Sequence, residues 1–223
     1  MKPHYKPIPS ESKLFKVEFQ KTSKEFYYPW HYHAELELTY ILSGQGVRYV
    51  GNSIENFYEA ELVLLGSNLP HSWNTTADQE QPVNAIVIYL KEDFLDKNWM
   101  QSIEFEGIRN LFALMNKGIK VDNKVAAELK QKFYELLNAS PFEKLMILLQ
   151  VLEYLSHNQE YRFLCQQEFT CDFDDTDKTR INAVYNYIQT HYQEQVSLAD
   201  IASKLSMSEE YFSRYFSKTM KKP

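Results

Sequence analysis

Three histidines and one glutamate in the first third of the chain carry side chains that can coordinate a metal ion. One residue separates His31 from His33, and Glu37 lies four residues after His33. His71 lies further along the chain. If the fold brings the four side chains together, they offer imidazole nitrogens and a carboxylate, a donor set that binds Fe²⁺, Mn²⁺, Ni²⁺ or Zn²⁺. The sequence therefore contains a candidate site for a divalent metal ion.

A β-strand has to position the first three of these residues. From 31 to 42 the odd positions are mainly polar and the even positions mainly apolar, which is the period of a strand. Either the polar face meets water, or it lines a cavity while the apolar face packs on a neighbouring element. Within this alternating run we predict a strand at 34–42. Turn signals separate it from further predicted strands at 46–50, 54–58, 61–65 and 83–90. Short strands of this kind are typical of an all-β sandwich or barrel.

The spacing of the metal-ligating residues also resembles that of a known family. His31-x-His33-x3-Glu37-x6-Gly44 is similar to the first cupin motif, and Gly66-x4-His71 lies where the second cupin motif places its histidine. The resemblance implies a β-barrel whose polar face turns inward. It favours the cavity interpretation of the polar face.

The segment 197–216, SLADIASKLSMSEEYFSRYF, predicts two short helices joined by a tight turn. Ser197 and Asp200 have the spacing of a capping box, and Ser208 is the N-cap candidate of the second helix. The apolar positions of the segment have the spacing of a DNA-binding helix-turn-helix. A helical hairpin without a nucleic-acid role would show the same pattern. These apolar positions are Ile201, Ala202, Leu205, Met207, Phe212, Tyr215 and Phe216.

This segment resembles the first helix-turn-helix of AraC/XylS-type transcription regulators. The residues that carry the resemblance are Ala202, Leu205, Met207-Ser208, Tyr211-Phe212-Ser213-Arg214 and Phe216. The turn glycine common in that family is Ser206 here. By this resemblance Glu210, Ser213 and Arg214 take the base-reading positions, while Ser208 and Lys218 suit phosphate contacts. The family carries a second such unit after a joining helix, so we expect residues 1–223 to be a fragment that alone binds DNA weakly.

The N-terminal segment YPWHYHAELELTYILSGQGVRYVG…ELVLLGSNLPHSW resembles the sensor domain of the same regulators. Those domains often keep histidine-rich pieces of the cupin motif without a metal. The resemblance therefore favours a second interpretation, in which His31, His33, Glu37 and His71 line an effector cavity or form a hydrogen-bond network. Trp30, Tyr40 and Trp73 are then candidates for the cavity wall, and their aromatic faces suit a small polar ligand such as a sugar. A divalent metal ion remains the alternative, and otherwise we expect no cofactor.

Composition limits the class of protein. The chain is 44% hydrophobic and 24% charged, as in ordinary globular proteins, and it shows neither a secretory signal nor an apolar run of membrane length. Cys165 and Cys171 are too few for a disulfide framework, so we expect a cytoplasmic protein that does not enter a membrane. Residues 178–223 contain seven basic and four acidic side chains and so carry a net charge of +3. Because the whole chain has a net charge of −6, residues 1–177 carry −9. A basic tail on an acidic body suits a regulator whose larger part does not contact phosphates.

The pattern becomes helical after residue 90, with helices predicted at 102–116, 124–138 and 141–157. The third is apolar over more than one face, so it is either covered by a second copy of the chain or buried in a three-helix cap. The resemblance to regulators that dimerise through such helices favours a homodimer. A further helix is predicted at 178–192.

These observations predict an α+β chain with four regions. A cupin-like effector-sensing β-barrel spans 1–90, a helical dimerisation region 91–165, a linker 166–177, and a truncated, all-α helix-turn-helix domain 178–223. The predicted function is that of an AraC-type transcription regulator, not an enzyme, with promoter DNA and a small-molecule effector as partners. The alternatives are a metal-dependent cupin enzyme, such as an oxygenase or isomerase, and a metal sensor, both built on the same three histidines and glutamate.

Overall fold

The computed structural model describes residues 4–6, 8, 14–21, 30–75, 82–167, 180, 183–184, 187, 191 and 196–220. The strands are β1 (His4–Tyr5), β2 (Phe15–Lys21), β3 (His31–Tyr32), β4 (Leu36–Ser43), β5 (Gly46–Val50), β6 (Ser53–Phe57), β7 (Leu62–Leu65), β8 (His71–Asn74), β9 (Asn84–Leu90), β10 (Ile119–Val121) and β11 (Tyr161–Phe163). The helices are α1 (Lys97–Met100), a 3₁₀ turn (Ile103–Phe105), α2 (Glu106–Met115), α3 (Asn123–Asn138), α4 (Pro141–His157), α5 (Leu198–Lys204) and α6 (Glu209–Met220).

The strands form two sheets rather than a closed barrel. One sheet has the order β1-β3-β8-β5-β6 and the other the order β11-β10-β7-β4-β9-β2. All described pairings are antiparallel except that of β1 with β3. The prediction of a closed barrel is therefore wrong, because no described strand is hydrogen-bonded to both sheets. The chain crosses from one sheet to the other at Gly44, whose φ of +90° suits glycine and where a Cβ would lie 2.7 Å from Val83 Cγ2.

The six-stranded sheet is buried on both faces. The even residues of β4, among them Leu38 and Tyr40, pack in one hydrophobic core with α2, α3 and α4. Ile41, on the odd face, belongs to a second core that lies between the two sheets. The polar odd face of β4 therefore points into the protein, as the cavity interpretation predicted, and the apolar even face packs on helices.

Local patterns predicted most of the described elements. The strand predicted at 46–50 coincides with β5, and the helices predicted at 124–138 and 141–157 correspond to α3 and α4. The strands β10 and β11 were missed, although β10 pairs with both β7 and β11. The six-stranded sheet thus continues beyond residue 90, because two three-residue strands between helices complete its edge.

The helix α4 begins with a capping box between Ser140 and Glu143 and carries Pro141 in its first turn, where a missing N–H costs nothing. It packs against both α2 and α3, so the three-helix arrangement is present within one chain. The side chains of Phe142 and Met146 remain 70% and 44% exposed. Burial against a second copy of the chain stays a prediction.

The C-terminal region is described in part. The described residues within 178–192, which are Arg180, Ala183, Val184, Tyr187 and His191, are all helical. Most of the predicted linker, from 168 to 177, lies outside the described residues, as does Cys171. Within the described ranges, no helix is long and apolar enough to cross a membrane.

Truncation of a side chain in the helix-facing core should destabilise the fold far more than the same change on the surface. Ile88 is fully buried in β9, whereas Ile54 in β6 is 57% exposed. We expect Ile88→Ala to lower the free energy of unfolding by about 2–5 kcal/mol, because burial is lost and a cavity remains. Ile54→Ala, the matched control, should cost less than about 1 kcal/mol. Urea denaturation followed by circular dichroism measures both, and equal losses would contradict the layered arrangement.

Candidate metal centre and nucleic-acid interface

The three histidines and the glutamate converge between the two sheets. His31 on β3 lies directly opposite His71 on β8 in the five-stranded sheet, and Glu37 comes from β4 in the other sheet. His33 lies in the connection between β3 and β4. All four are at most 3% exposed. Both sheets thus contribute to one buried cluster.

The donor atoms of the cluster lie close enough to share one ion. One ring nitrogen or carboxylate oxygen from each of the four residues lies within 4.8 Å of the others. His33 Nε2 and His71 Nε2 lie 3.0 and 3.3 Å from the same atom, Glu37 Oε2. Ligand bonds of about 2.0–2.2 Å hold donor atoms some 3–4 Å apart, so coordination requires shifts below about 1 Å.

The hydrogen bonds of two imidazoles leave their second nitrogens facing a carboxylate. His33 Nδ1 lies 2.9 Å from the Glu35 carbonyl, and His71 Nδ1 lies 2.8 Å from the Leu69 carbonyl. Because a carbonyl only accepts, each Nδ1 carries a hydrogen, so each Nε2 faces Glu37 either as a donor, when it is protonated as well, or as a lone pair. Lone pairs that face a carboxylate need a cation between them, either protons or a metal ion.

Further contacts orient these ligands. The Thr39 hydroxyl donates to Glu37 Oε1 at 2.6 Å, leaving Oε2 for the histidines, and the Asn68 N–H donates to the His33 carbonyl at 2.8 Å. The Tyr89 ring stands edge-on to the His33 ring at 5.2 Å. Carbonyl and hydroxyl partners of this kind are the usual outer contacts of metal ligands. The sequence analysis did not identify Thr39 and Tyr89 as part of this site. Thr39 shares the face of Glu37 on β4, and Tyr89 lies opposite Glu37 on β9.

The charge state of Glu37 follows from its neighbours. Burial raises the pKa of the Glu37 carboxyl, but the charge of His71 and hydrogen bonds with His33 and His71 outweigh burial. Together they hold the pKa of Glu37 well below its ordinary value of 4.5. The cluster therefore carries a carboxylate ready to bind a cation.

The space beside the cluster is small. A cavity of about 10 Å³ touches His31, Glu37, His71 and Trp73, enough for one water-sized centre. Sites for organic ligands span some 300–1,000 Å³. This cavity therefore has the size of a single water molecule or ion.

The aromatic residues predicted to line this cavity are divided by the fold. Trp73 does line it, with its ring 6.4 Å from that of His71. Trp30 is buried in the same inter-sheet core. Tyr40 lies on the opposite face of β4, where its ring packs 4.9 Å from that of Phe133, so the prediction that it joins the cluster is wrong. An even position in this strand points to the helices.

The donor set fits a divalent transition metal. His31, His33, His71 and Glu37 would hold it, and such an ion would supply a Lewis-acidic centre in a buried pocket. Three imidazoles with one carboxylate suit Fe²⁺, Mn²⁺, Ni²⁺ or Zn²⁺ better than Ca²⁺ or Mg²⁺, which prefer oxygen ligands.

The helices α5 and α6 form a second candidate site. Ser197 and Asp200 form the capping box predicted for α5, and the backbone of Ser206 adopts a φ of +55° in the turn. Ala202 and Phe212 are buried against Val184. The partly buried residues packed around them are Ile201, Leu205, Met207, Tyr215 and Phe216.

The outer face of α6 carries the residues predicted to contact DNA. Glu210, Ser213, Arg214 and Lys218 are exposed, and Ser208 lies just before the helix. The Ser208 hydroxyl accepts a hydrogen bond from the Tyr211 N–H at 3.2 Å, which leaves its own hydrogen for another acceptor. Glu210, Ser213 and Arg214 border one open groove with Leu198. The geometry thus keeps these side chains outward and separate from the apolar face of the helix.

Comparisons with known proteins give structural likenesses only. No family model and no curated protein sequence matches the chain. Apo ToxT from Vibrio cholerae is similar, at 13% identity with a TM-score of 0.46, over 95% of this chain and 77% of that chain. Wild-type ToxT bound to an unsaturated fatty acid has 11% identity and a TM-score of 0.43, over 97% and 77% of the two chains.

About a third of the chain is similar to part of a second protein, the oxalate decarboxylase of Bacillus subtilis with its Mn(II) centres. That likeness has 18% identity and a TM-score of 0.32, over 36% of this chain and 22% of that chain. ToxT is an AraC-family regulator and oxalate decarboxylase a cupin. Likenesses at these scores do not assign this chain to the family of either protein.

The purified chain should bind about one divalent ion through the buried cluster. After incubation with Mn²⁺, Ni²⁺ or Zn²⁺ and dialysis, we expect inductively coupled plasma mass spectrometry to find close to one ion per chain. His33→Ala and Glu37→Gln should lose most of it, whereas His157→Ala, a change at an exposed histidine of α4, should not. Thr39→Val should weaken affinity by about 10–100-fold, because the carboxylate loses its orienting hydrogen bond. Equal metal content in all variants would contradict the site.

The stability of the metal-free chain should depend on the ionisation of Glu37. A carboxyl whose folded pKa is lowered stabilises the fold fully above its ordinary pKa and loses that contribution as pH falls through the folded pKa. In chelator-treated protein, the advantage of the wild type over Glu37→Gln in free energy of unfolding should be present in full at pH 5. It should shrink as pH is lowered below 4.5, the ordinary value. Urea titrations between pH 7 and pH 3 measure this, and a difference that is unchanged at pH 3 would contradict it.

Proposed function

We propose that the chain is a DNA-binding transcription regulator of the AraC/XylS type whose effector is a divalent metal ion bound between its sheets. The observation that carries the DNA-binding part is the two-sided character of α6. Its apolar side packs on α5, while Glu210, Ser213 and Arg214 are exposed together on the other side. A helix with one anchored face and one polar face is what insertion into a major groove requires.

Each exposed residue of α6 has a chemistry suited to a part of DNA. Arg214 can donate two hydrogen bonds to guanine O6 and N7, and Glu210 can accept from cytosine N4. Ser213 suits either base. Ser208, at the beginning of the helix, and Lys218, near its end, suit phosphate oxygens. The helix thereby divides into base-reading and phosphate-binding positions.

The size and chemistry of the cluster support a metal ion as effector rather than a sugar. The cavity of about 10 Å³ beside the cluster is far smaller than the sites of organic ligands, whereas the donor atoms within 4.8 Å of each other suit an ion. The same donor set favours the second candidate function, a metal-dependent cupin enzyme. That candidate ranks lower because a substrate would also need room beside the metal, and because it gives α6 no role.

The contacts of α6 support coupling between the two sites. Tyr215 and Phe216 pack both on the core of the α5–α6 unit and on the core between the sheets. The metal-binding cluster lies at that inter-sheet core, next to Trp73. An ion that shifts the cluster by less than about 1 Å therefore acts on a core that α6 shares, and packed cores transmit such shifts.

The proposal includes a cytoplasmic homodimer. Phe142 and Met146 stay exposed on α4 after it has packed on α2 and α3, and exposed apolar side chains of this size suit a second copy of the chain.

Substitutions on α6 should separate base reading from phosphate binding. Selection of binding sequences from random DNA at low salt should yield a preferred site for the wild type. Arg214→Ala should lose the preference for guanine at one position, at a cost of about 1–3 kcal/mol in discrimination. Lys218→Ala should keep the preferred sequence and weaken binding to all sequences alike.

The role of the metal ion as effector is tested by a second assay on the DNA sequence that the selection yields. Fluorescence anisotropy with the selected DNA should give different affinities with Mn²⁺, Ni²⁺ or Zn²⁺ and with chelator, and Glu37→Gln should abolish the difference.

An unchanged sequence preference for Arg214→Ala would overturn the DNA-reading role. An affinity that no metal alters would overturn the metal as effector and leave DNA binding intact.

A further inference from the structure

A second cavity lies away from the metal-binding cluster, where β10 leads into α3 and the chain enters β11. Its volume is about 560 Å³, and its lining includes Lys120 and Asp122 on one side and Glu160 and Arg162 on the other. That volume falls within the range of small-molecule sites. We call this cavity the β10–β11 groove.

The strand register arranges the four charged residues in two cross-strand pairs, which we call rungs. Lys120 lies directly opposite Arg162 in the antiparallel pair. One register step beyond β10, the Asp122 N–H donates to the Glu160 carbonyl at 2.9 Å, so the two acidic residues also face each other. Positions two residues apart on a strand are about 7 Å apart on the same side. A rung of two cations is therefore followed by a rung of two carboxylates.

Between the two strands themselves, this arrangement brings like charges together. Like charges directly opposite each other are destabilising, and opposite charges are stabilising. Exchange of Arg162 with Glu160 would pair every cation with a carboxylate. The observed pattern instead concentrates positive charge at one end of the groove and negative charge at the other.

The cationic rung is held in place by a buried network. Lys120 Nζ lies 2.7 Å from Glu61 Oε2, Arg162 Nη1 lies 2.9 Å from Glu55 Oε1, and Arg48 Nη2 lies 2.8 Å from Glu55 Oε2. Arg48 also pairs with Glu61. The network thus contains three cations and two carboxylates, and one positive charge is not balanced within it.

The unbalanced charge faces the groove. The side chain of Arg162 is 51% exposed and that of Lys120 20% exposed, and both keep N–H donors beyond those given to Glu55 and Glu61. Burial, Arg48 and Arg162 lower the pKa of Lys120, as expected for a cation that lacks enough negative partners. An anionic group placed here would supply the missing charge.

The acidic rung also keeps acceptors available. Asp122 Oδ1 accepts from the Lys124 N–H as the N-cap of α3, which leaves Oδ2. Glu160 is exposed. Among the ion pairs of the described residues, none involves Asp122 or Glu160. A cationic group of a ligand can therefore meet two carboxylates.

We propose that the β10–β11 groove binds a small zwitterionic molecule, with its carboxylate against Lys120 and Arg162 and its ammonium group against Asp122 and Glu160. The rung spacing of about 7 Å suits an extended ω-amino acid, in which several methylene groups separate the charges. An α-amino acid, whose charges share one carbon, is too short to reach both rungs.

Isothermal titration calorimetry on the full 223-residue chain tests this with 6-aminohexanoate as probe. Hexanoate and hexylamine carry only one of its two charges, and glycine carries both without the spacing. We expect 6-aminohexanoate to bind at least about tenfold more tightly than any of the three, the gain from one further charge-assisted hydrogen bond.

Isosteric variants identify the rungs. In the double variant Asp122→Asn with Glu160→Gln, the preference should invert, so that hexanoate binds at least as tightly as 6-aminohexanoate. Asparagine still caps α3, so the fold is retained, and thermal unfolding checks this. Arg162→Gln should weaken 6-aminohexanoate and hexanoate together. Glu104→Gln, an exposed acidic position outside the groove, should change neither.

Two results would overturn the proposal. Hexanoate that binds the wild type as tightly as 6-aminohexanoate would show a site for anions only, and the absence of binding heat for all four compounds would show no site for a charged ligand. Neither result bears on the metal-binding cluster or on α6.

Discussion

A carboxylate that is 3% exposed requires compensating charge and hydrogen bonds, and the surroundings of Glu37 are arranged to provide them. Its partners His33, Thr39 and His71 come from a connection, from its own strand and from the other sheet. The position of one sheet against the other is therefore tied to a polar contact between them. A cation at this point would replace the proton-mediated contacts and link the same segments.

The six-stranded sheet makes this arrangement possible because it is covered on both sides. Its even face forms a wholly apolar core with the helices, so the odd face is free to carry polar residues into the space between the sheets. That space holds polar groups on both sides of Trp73, whose ring lies 6.4 Å from the His71 ring and 5.8 Å from the Arg48 guanidinium. The cluster of His31, His33, Glu37 and His71 and the network behind the β10–β11 groove thus border on one aromatic side chain.

Local signals in the sequence predicted what depends on neighbouring residues. The capping box at Ser197, the strand at 46–50 and the alternation in 31–42 were all read correctly. The four residues of the cluster were found from their resemblance to the two cupin motifs, although their role as ligands stays a proposal. Tyr89 was missed because its place beside Glu37 depends on the register between β4 and β9, whereas alternation already put Thr39 on the face of Glu37 and only the hydrogen bond of its hydroxyl was missed.

The sequence by itself determined which residues alternate, which begin helices and which side chains can bind a metal or DNA, since these depend on residue type and short spacing. Only the tertiary structure decided that the two sheets stay open, that β10 and β11 join the sheet beyond residue 90, and that Tyr40 faces the helices. It also decided that like charges meet across β10 and β11. The reason is that pairing, closure and cavity size arise from contacts between residues far apart in the chain. No local pattern encodes those distances.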